Sequence, residues 1–194
     1  MMIKSIDLQL TGGEFRIIQG DDFTIRSDSL DHLIYEKDEV WHVISDICRG
    51  KYADTVITLP IIRSFHKVSV KITDGTLSMC PMQCKEIIFN IRSASVDVAD
   101  VISQRLKIDI GSGNLKINAD SYQTYIDCGY GTVNLNMSRE KKAYSIDSKC
   151  GMGNVTLNSM LLPKQYKSPE GEHKIHIICG MGEVNINTSP KFCG

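Results

Sequence analysis

Three cysteines hold the same slot of a recurring phrase. Cys128, Cys150 and Cys179 each close an alternating run and each precede a Gly-x-Gly corner. Thiolates from equivalent slots can gather around a soft metal, and zinc takes four tetrahedral ligands, often from close Cys-x2–4-Cys pairs. Cys80 and Cys84 have a tolerable spacing for one such pair, but no second pair matches it. Stacked one turn apart, the three slots would lie about 4.8 Å from one another with parallel side chains, a little too wide for good disulfide geometry. The simpler reading is a ladder of buried thiols that behave as small hydrophobes. The full set, at 48, 80, 84, 128, 150, 179 and 193, is odd in number and suits a reducing compartment. No metal and no cofactor is expected.

Carboxylates are the second chemical candidate. Asp109 and Asp127 share an outward slot one turn apart, with Lys149 next in the series. Two carboxylates at about 5 Å can act as an acid/base pair or hold calcium. A solvated charged column relieved by the lysine is the simpler reading. The histidines, at 32, 42, 66, 173 and 176, form no HExxH motif, and no Gly-x-Ser-x-Gly elbow occurs. No catalytic residue is therefore assigned.

The elements that carry these residues are repeats. LKIDIGSGNLKIN (106–118), TYIDCGYGTVNLN (124–136), IDSKCGMGNVTLN (146–158) and IHIICGMGEVNIN (175–187) are copies of one phrase, an alternating strand, a glycine corner and a second alternating strand. The residue before each corner is Ile72, Ile91, Ile110, Cys128, Cys150 and Cys179, with steps of 19, 19, 18, 22 and 29 residues. Strict alternation marks strands with one buried face. One such unit cannot bury its apolar face alone, so neighbours must stack. The expected fold is all-β, a parallel β-solenoid of β-helix type over 66–188 in which successive coils lie on one another. A non-repeating N-terminal β region, 1–65, flanks or caps the first coils, and 189–194 is a tail. A further copy of the phrase is visible where Leu10, Gly13, Phe15 and Ile17 fill its slots.

The paired corner glycines, Gly111 and Gly113, Gly129 and Gly131, Gly151 and Gly153, Gly180 and Gly182, are expected to supply positive φ for a sharp corner. A strand follows each pair, whereas a nucleotide-binding loop needs a helix there. Asn118, Asn136, Asn158 and Asn187 fall in one column and are expected to form an amide ladder. Residues 18–60 read as separate strands, FTIRS, HLIYEK, VWHVIS and TVITLP, with turns at Gly20-Asp21-Asp22 and Arg49-Gly50 and a hairpin at 36–39. Helix is expected nowhere but in a short piece at 99–104.

Two insertions follow the Asn column, SREKKA (138–143) and MLLPKQYKSPEGEH (160–173). On neighbouring turns they would form adjoining corner loops, the usual place for binding in repeat folds. Arg139, Lys141, Lys142, Leu161, Leu162, Lys164, Tyr166 and Lys167 are the candidate ligand-binding residues. The outward slots of the second arm, from Thr76 and Ser78 to Glu183 and Asn185, make a flat small-polar face.

The chain has 194 residues, a formal net charge of −1 and 23% charged residues, with no basic stripe, so nucleic acid is not expected as a partner. No apolar run approaches a membrane span, and direct membrane insertion is not expected. MMIKSIDLQL has no h-region and no cleavage site, from which a cytoplasmic location is expected. Open solenoid ends expose strand edges, so self-association through the ends is a further expectation.

DIGSGNLKIN, DCGYGTVNLN, KCGMGNVTLN and ICGMGEVNIN, with the lead-in ADTVITLPIIRSFHKVSVKITDGTLSM, resemble the bacterial putative-adhesin β-solenoid family, a domain of unknown function. The resemblance spans nearly the whole chain. It implies an all-β solenoid in the cell envelope or at the surface, with no catalytic residues to carry over. The chain departs from that pattern in its cysteine column and in showing no export signal. The expected function is a non-enzymatic, adhesin-like binding module that presents corner loops and a flat polar face to a protein or glycan. An intracellular scaffold or regulatory accessory acting through protein contacts is the alternative. A polysaccharide-active enzyme built on Asp109 and Asp127 is a third.

Overall fold

A computed structural model describes residues 3–28, 32–45, 53–61 and 64–188. Cys48, Cys193, the Arg49-Gly50 turn and the tail 189–194 lie outside the described residues. Alternation governs what remains, and each alternating run is a strand with its apolar side turned inward.

Eight coils follow one another along the described chain, each made of two arms. Coil 1 is β1 (Ser5–Leu10) and β2 (Gly13–Gly20); β3 (Thr24–Ser27) and β4 (His32–Lys37) follow it, and coil 2 is β5 (Val40–Ser45) and β6 (Ala53–Pro60). Coil 3 is β7 (Phe65–Ile72) and β8 (Thr76–Met79). Coils 4, 5 and 6 share their strands: β9 (Met82–Ile91), the long β10 (Ser95–Ile110) and β11 (Asn114–Cys128), and β12 (Thr132–Met137). Coil 7 is β13 (Tyr144–Cys150) and β14 (Asn154–Leu157), followed by β15 (Met160–Leu161) and β16 (Gln165–Lys167); coil 8 is β17 (His173–Cys179) and β18 (Glu183–Thr188). First arms stack in one wall and second arms in the other. Because β10 and β11 run through from wall to wall, all the strands belong to one open sheet.

Every coil-to-coil pairing is parallel. The second-arm registers run Phe15↔Leu77↔Val96↔Leu115↔Val133↔Val184↔Val155. The inward second-arm residues of coils 3 to 8, Leu77 to Ile186, are at most 2% exposed. The residues expected at 99–104 in a short helix instead continue β10. A register shift between Val98 and Asp100 bends the strand there, and Val101 resumes pairing with Met82 and Ala119. Val101 and Ser103 are buried while Ile102 is 53% exposed, an alternation that a strand keeps and a helix would break. The one helical piece described is a single 3-10 turn, Lys141–Ala143.

The coils do not stack in chain order. Through the middle they do, from coil 3 to coil 6. At the C-terminal end β17 pairs with both β11 and β13, and β18 with both β12 and β14, so coil 8 lies between coils 6 and 7. At the N-terminal end β1 pairs with both β5 and β7, and β2 with both β6 and β8, so coil 1 lies between coils 2 and 3. The spatial order is 2-1-3-4-5-6-8-7. This corrects the expectation that successive coils always touch. Val133, Val155 and Val184 remain neighbours, but Val184 is the middle one.

Both outermost coils carry antiparallel edge strands. β4 pairs with β5 and β3 with β6 at one end; β16 pairs with β13 and β15 with β14 at the other. The expected hairpin at 36–39 is present, with Asp38 and Glu39 at φ 52° and 63°, and its counterpart at the far end uses Asn158 and Ser159 at φ 50° and 65°. Two consecutive left-handed residues match the twist of a two-residue hairpin.

The corner glycines are needed for a different reason from the one expected. Among them only Gly12, Gly13 and Gly75 have positive φ. At the later corners the limit is space: a Cβ on Gly113 would lie 2.1 Å from the Ala94 carbonyl oxygen, and one on Gly131 2.5 Å from that of Gly113. The corner backbones stack so closely that the neighbouring carbonyl fills the place of a side chain.

Candidate functional site

The cysteine column is real but reordered. The corner hydrogen bonds run Gly111 N to Ile91 O, Gly129 N to Ile110 O, Gly180 N to Cys128 O and Gly151 N to Cys179 O, at 2.7–2.8 Å, so Cys179 stands between Cys128 and Cys150. The Cys128 and Cys179 thiols donate to the carbonyls of Gly131 and Gly182 at 3.2 and 3.3 Å, turning back into their own corners. Burial raises the Cys128 thiol above its ordinary range, and burial with the two neighbouring sulfurs pushes Cys179 up to about 12. Cys84 is pushed up to about 12 by burial, with the Glu86 charge second. With no metal bound, these groups are protonated at neutral pH, which disfavours a free thiolate nucleophile there. Among the described residues no three or more His, Cys, Asp or Glu side chains are arranged to hold a metal ion.

Asp109 and Asp127 are register partners on the outer side of the first-arm wall. The next residue in their column is Ile178, which is 47% exposed, and Lys149 comes only after it. Intercalation of coil 8 thus separates the lysine from the carboxylates it was expected to relieve.

The insertions are not two free corner loops. Met160–Leu161 and Gln165–Lys167 are edge strands against coil 7, and Leu162 and Tyr166 pack partly buried on the core. The Lys164 Nζ donates to the Gly153 carbonyl. Arg139 is held by Asp120 at 3.1 Å, and Lys142 pairs with Glu140 at 2.8 Å. The two segments meet at Tyr144, whose hydroxyl accepts from Arg139 N at 3.1 Å and whose carbonyl accepts from the Ser168 hydroxyl at 3.4 Å.

The amide ladder forms through Asn118, Asn136 and Asn187, with Nδ2 to Oδ1 distances of 3.0 Å at both steps. Asn158 leaves it because its backbone makes the hairpin turn, and its side chain exchanges hydrogen bonds with Thr188. A second ladder that was not expected runs Asn134, Asn185, Thr156 along the outward polar face, at 3.1 and 2.7 Å.

A polar groove lies elsewhere, where the first arms of coils 3 to 6 begin. His66, Lys85, Glu86, Gln104, Arg105 and Tyr122 line a groove of about 410 Å³. Glu86 is the hub of its charges, 3.3 Å from Arg105 and 3.8 Å from Lys67. Tyr122 stands 45% exposed at the wall. Its ring meets the buried His173 edge-on at a centroid distance of 5.4 Å. His173 is in turn fixed by a 3.0 Å contact from Nδ1 to the Ser121 carbonyl and by the Tyr144 ring at 5.6 Å. Tyr122 thus rests on a buried side chain that is itself held from two sides. No motif marks these residues. The available signal was their spacing, since 66, 85, 104 and 122 step by 19, 19 and 18, as the corner marks do.

Histidine also recurs in the outward column beside this groove. His42 lies 3.2 Å from Asp7 with its ring stacked on Tyr35 at 4.6 Å, and His176 lies 3.7 Å from Asp147 with the Tyr125 ring 6.3 Å away. The same Tyr-His-Asp order appears at both ends of the stack because the column is continuous through the parallel registers.

Two solved structures are similar over nearly the whole chain. One is a putative cell adhesion protein from Clostridium sporogenes, 17% identical, with a TM-score of 0.46, covering 97% of this chain and 94% of its own. The other is a putative adhesin from Bacteroides fragilis, 13% identical, with a TM-score of 0.38, covering 97% and 93%. No curated protein matches. Among the described residues no helix is long and apolar enough to cross a membrane. The model of the family described as Toastrack DUF4097 matches residues 19–176, and the chain belongs to that family.

Proposed function

We propose that this chain is a non-enzymatic, adhesin-like binding module built on a parallel β-solenoid, and that its groove beside Tyr122 takes a glycan. The observation that carries the reading is the half-exposed Tyr122 ring, in contact with His173, lining one groove with Gln104, Arg105, Glu86 and Lys85. A flat ring offers its face to the C–H side of a sugar, and the amides and the ion pair supply donors and acceptors for hydroxyls. The scaffold's rigidity limits the ordering cost on binding. The flat polar face of the second-arm wall and the segment at Arg139–Lys142 offer separate surfaces for contact.

A glycan array probed with the whole chain tests it. A specific oligosaccharide hit is expected, weakened about threefold to tenfold by Tyr122→Ala with the thermal midpoint unchanged. An array without hits, or a hit indifferent to Tyr122, would remove the proposal. One observation favours the alternative of an intracellular scaffold acting through proteins: Cys80, Cys84, Cys128, Cys150 and Cys179 are all free thiols, as in a reducing compartment. Fractionation of the native host separates the two, with soluble cytosolic material supporting the scaffold.

A further inference from the structure

Charge is divided between the two walls in the middle of the stack. Over residues 66–121 the first-arm side (66–74, 83–93 and 102–112) carries Lys67, Lys71, Lys85, Arg92, Arg105 and Lys107 against Asp74, Glu86 and Asp109, a balance of +3. The second-arm side (75–82, 94–101 and 113–121) carries Lys116 against Asp97, Asp100 and Asp120, a balance of −2. The six basic residues form no run in the sequence, and the parallel registers bring them to one face of coils 3 to 5. Asp74 is turned into its own corner, where it accepts from the Gly75 N–H at 2.8 Å. Glu86 is shared between Arg105 and Lys67. Among the described residues Lys71, Lys85, Arg92 and Lys107 make no ion pair.

These cations connect two grooves. At the start of the first arms, Lys85 and Arg105 line the Tyr122 groove. At the far end, Lys71, Thr73, Asn90, Arg92 and Asp109 line a second groove of about 330 Å³ at the corner of coils 3 to 5. The two lie four residues apart along the strands, Glu86 to Asn90 and Arg105 to Asp109, which is about 13 Å. Lys107 stands between them, in register with the partly exposed Ile88 and with Tyr125. Both grooves mix cations with neutral donors and acceptors, Gln104 in one and Thr73 and Asn90 in the other. Asp127 adjoins Asp109 on the coil 6 side of the second groove. That carboxylate pair repels an anion, so a negatively charged chain entering beside Tyr122 is steered across coils 5 and 4 toward Arg92 and Lys71.

We infer that the glycan is acidic and spans both grooves, with a carboxylate or sulfate group held by Arg92 and Lys71 in the second. The guanidinium fork and the ammonium both suit anionic oxygens. A neutral sugar would use the hydroxyl-bonding groups and leave all four free cations without a partner. A nucleic acid fits this wall less well. Its bases stack on aromatic rings set among the cations, whereas Tyr122 and Tyr125 both lie in coil 6 and the free cations in coils 3 to 5. The chain's net charge of −1 gives no general attraction for polyanions, so recognition falls to this patch. The inference rests on the glycan reading of the Tyr122 groove and adds to it the class of sugar and a second point of attachment.

An array of uronate, sialylated and sulfated oligosaccharides beside neutral ones, with single-stranded DNA and RNA spots, tests it when probed with the full chain at low and high salt. The strongest specific hit is expected to be acidic and to weaken about tenfold in high salt, where exposed charges are screened. The double variant K71Q/R92Q should cost that hit about tenfold while the thermal midpoint holds. Asp109→Asn should tighten it, because a repelling charge leaves the second groove. Tyr122→Ala should weaken it as well, since one ligand fills both grooves. Specific hits on neutral sugars alone, weakened by Tyr122→Ala, overturn this inference and leave the reading of the Tyr122 groove standing. An array without glycan hits removes both. An acidic hit indifferent to K71Q/R92Q, or a tighter nucleic-acid signal lost with that variant, also overturns the inference.

Discussion

The middle of the stack and its ends obey different rules. From coil 3 to coil 6 each turn lies on the one before it, and β10 and β11 pass uninterrupted from one coil to the next. At the C-terminal end the chain oversteps by one coil, builds the outermost turn with its antiparallel edge, and returns to fill the gap; at the N-terminal end it starts in the inner place, builds the outermost turn, and then steps over coil 1 to coil 3. The first and last strands thereby gain partners on both sides. A solenoid stacked in chain order leaves its terminal strands as open edges that fray first. Here the outermost strands are instead internal segments, held by chain on both sides. A chain repeat therefore determines which residues can be neighbours, while the order of neighbours at the ends is set by where the connections are long enough to overstep.

That distinction yields the largest predicted effect. Leu135 in coil 6 and Leu157 in coil 7 are both fully buried. An aspartate at either place is an uncompensated charge in an apolar core, which costs about 3 kcal/mol or more. Leu135→Asp strikes between coils 5 and 8 and should abolish cooperative folding. Leu157→Asp strikes the outermost coil, which can detach while the rest stays closed. Hydrogen exchange should then show β13–β16 unprotected and β17–β18 still protected, because coil 8 rests on coil 6. Loss of protection in β17–β18 together with β13–β16 would restore stacking in chain order and break the comparison.

The coils themselves were legible because alternation and the corner phrase are local. Their order at the C-terminal end was not. Cys128, Cys150 and Cys179 precede near-identical corners, so any two of the three can pair equally well, and only the connection between them decides. The 160–167 edge looks like a corner loop because it is an insertion beyond the repeat after the Asn column; its strands exist through pairing with coil 7, a tertiary effect. Asn158 looked identical to Asn118 and Asn136 and was lost to a turn that only the returning chain requires. The groove at Tyr122 was missed since its residues share spacing but no common chemistry. The polar face was readable, its inter-coil amide and hydroxyl bonds only in part.

Glycine substitutions sharpen the comparison at an intermediate scale. Gly131 lies in coil 6, between Gly113 of coil 5 and Gly182 of coil 8; a Cβ there would meet the Gly113 oxygen at 2.5 Å, and a Cβ on Gly182 would meet the Gly131 oxygen at 2.3 Å. Coils on both sides hold it in place. Gly153 on the outermost coil faces an even tighter approach, 2.1 Å to the Gly182 oxygen, but that coil can move outward. Gly131→Ala is expected to cost about 2–3 kcal/mol and Gly153→Ala about 1 kcal/mol, as overpacking where the surroundings can and cannot yield. Chemical denaturation of the two variants measures the difference. Equal costs would mean that the end coil is as rigid as the middle.

A last effect is carried by the thiols and appears only in alkali. Cys84, in the middle of the stack, and Cys179, near its end, are both raised from 9.0 to about 12 in the folded chain. An unfolded chain releases these protons near the ordinary thiol value, so between pH 9 and 12 the folded state holds more protons than the unfolded one. Stability then falls with rising pH through that window, and the contribution is fully present only below it. Cys84→Ala and Cys179→Ala should each flatten the decline, measured as the change in denaturation midpoint between neutral pH and the centre of the window. The two sites should differ in their coupling. Cys84 is raised by its own burial with Glu86 second, so its effect should add to that of a Cys150→Ala change. Cys179 feels Cys128 and Cys150 on either side, so Cys150→Ala should shrink the share that Cys179 contributes. Additivity at both sites would separate Cys179 from Cys150 and would contradict the contact between coils 7 and 8.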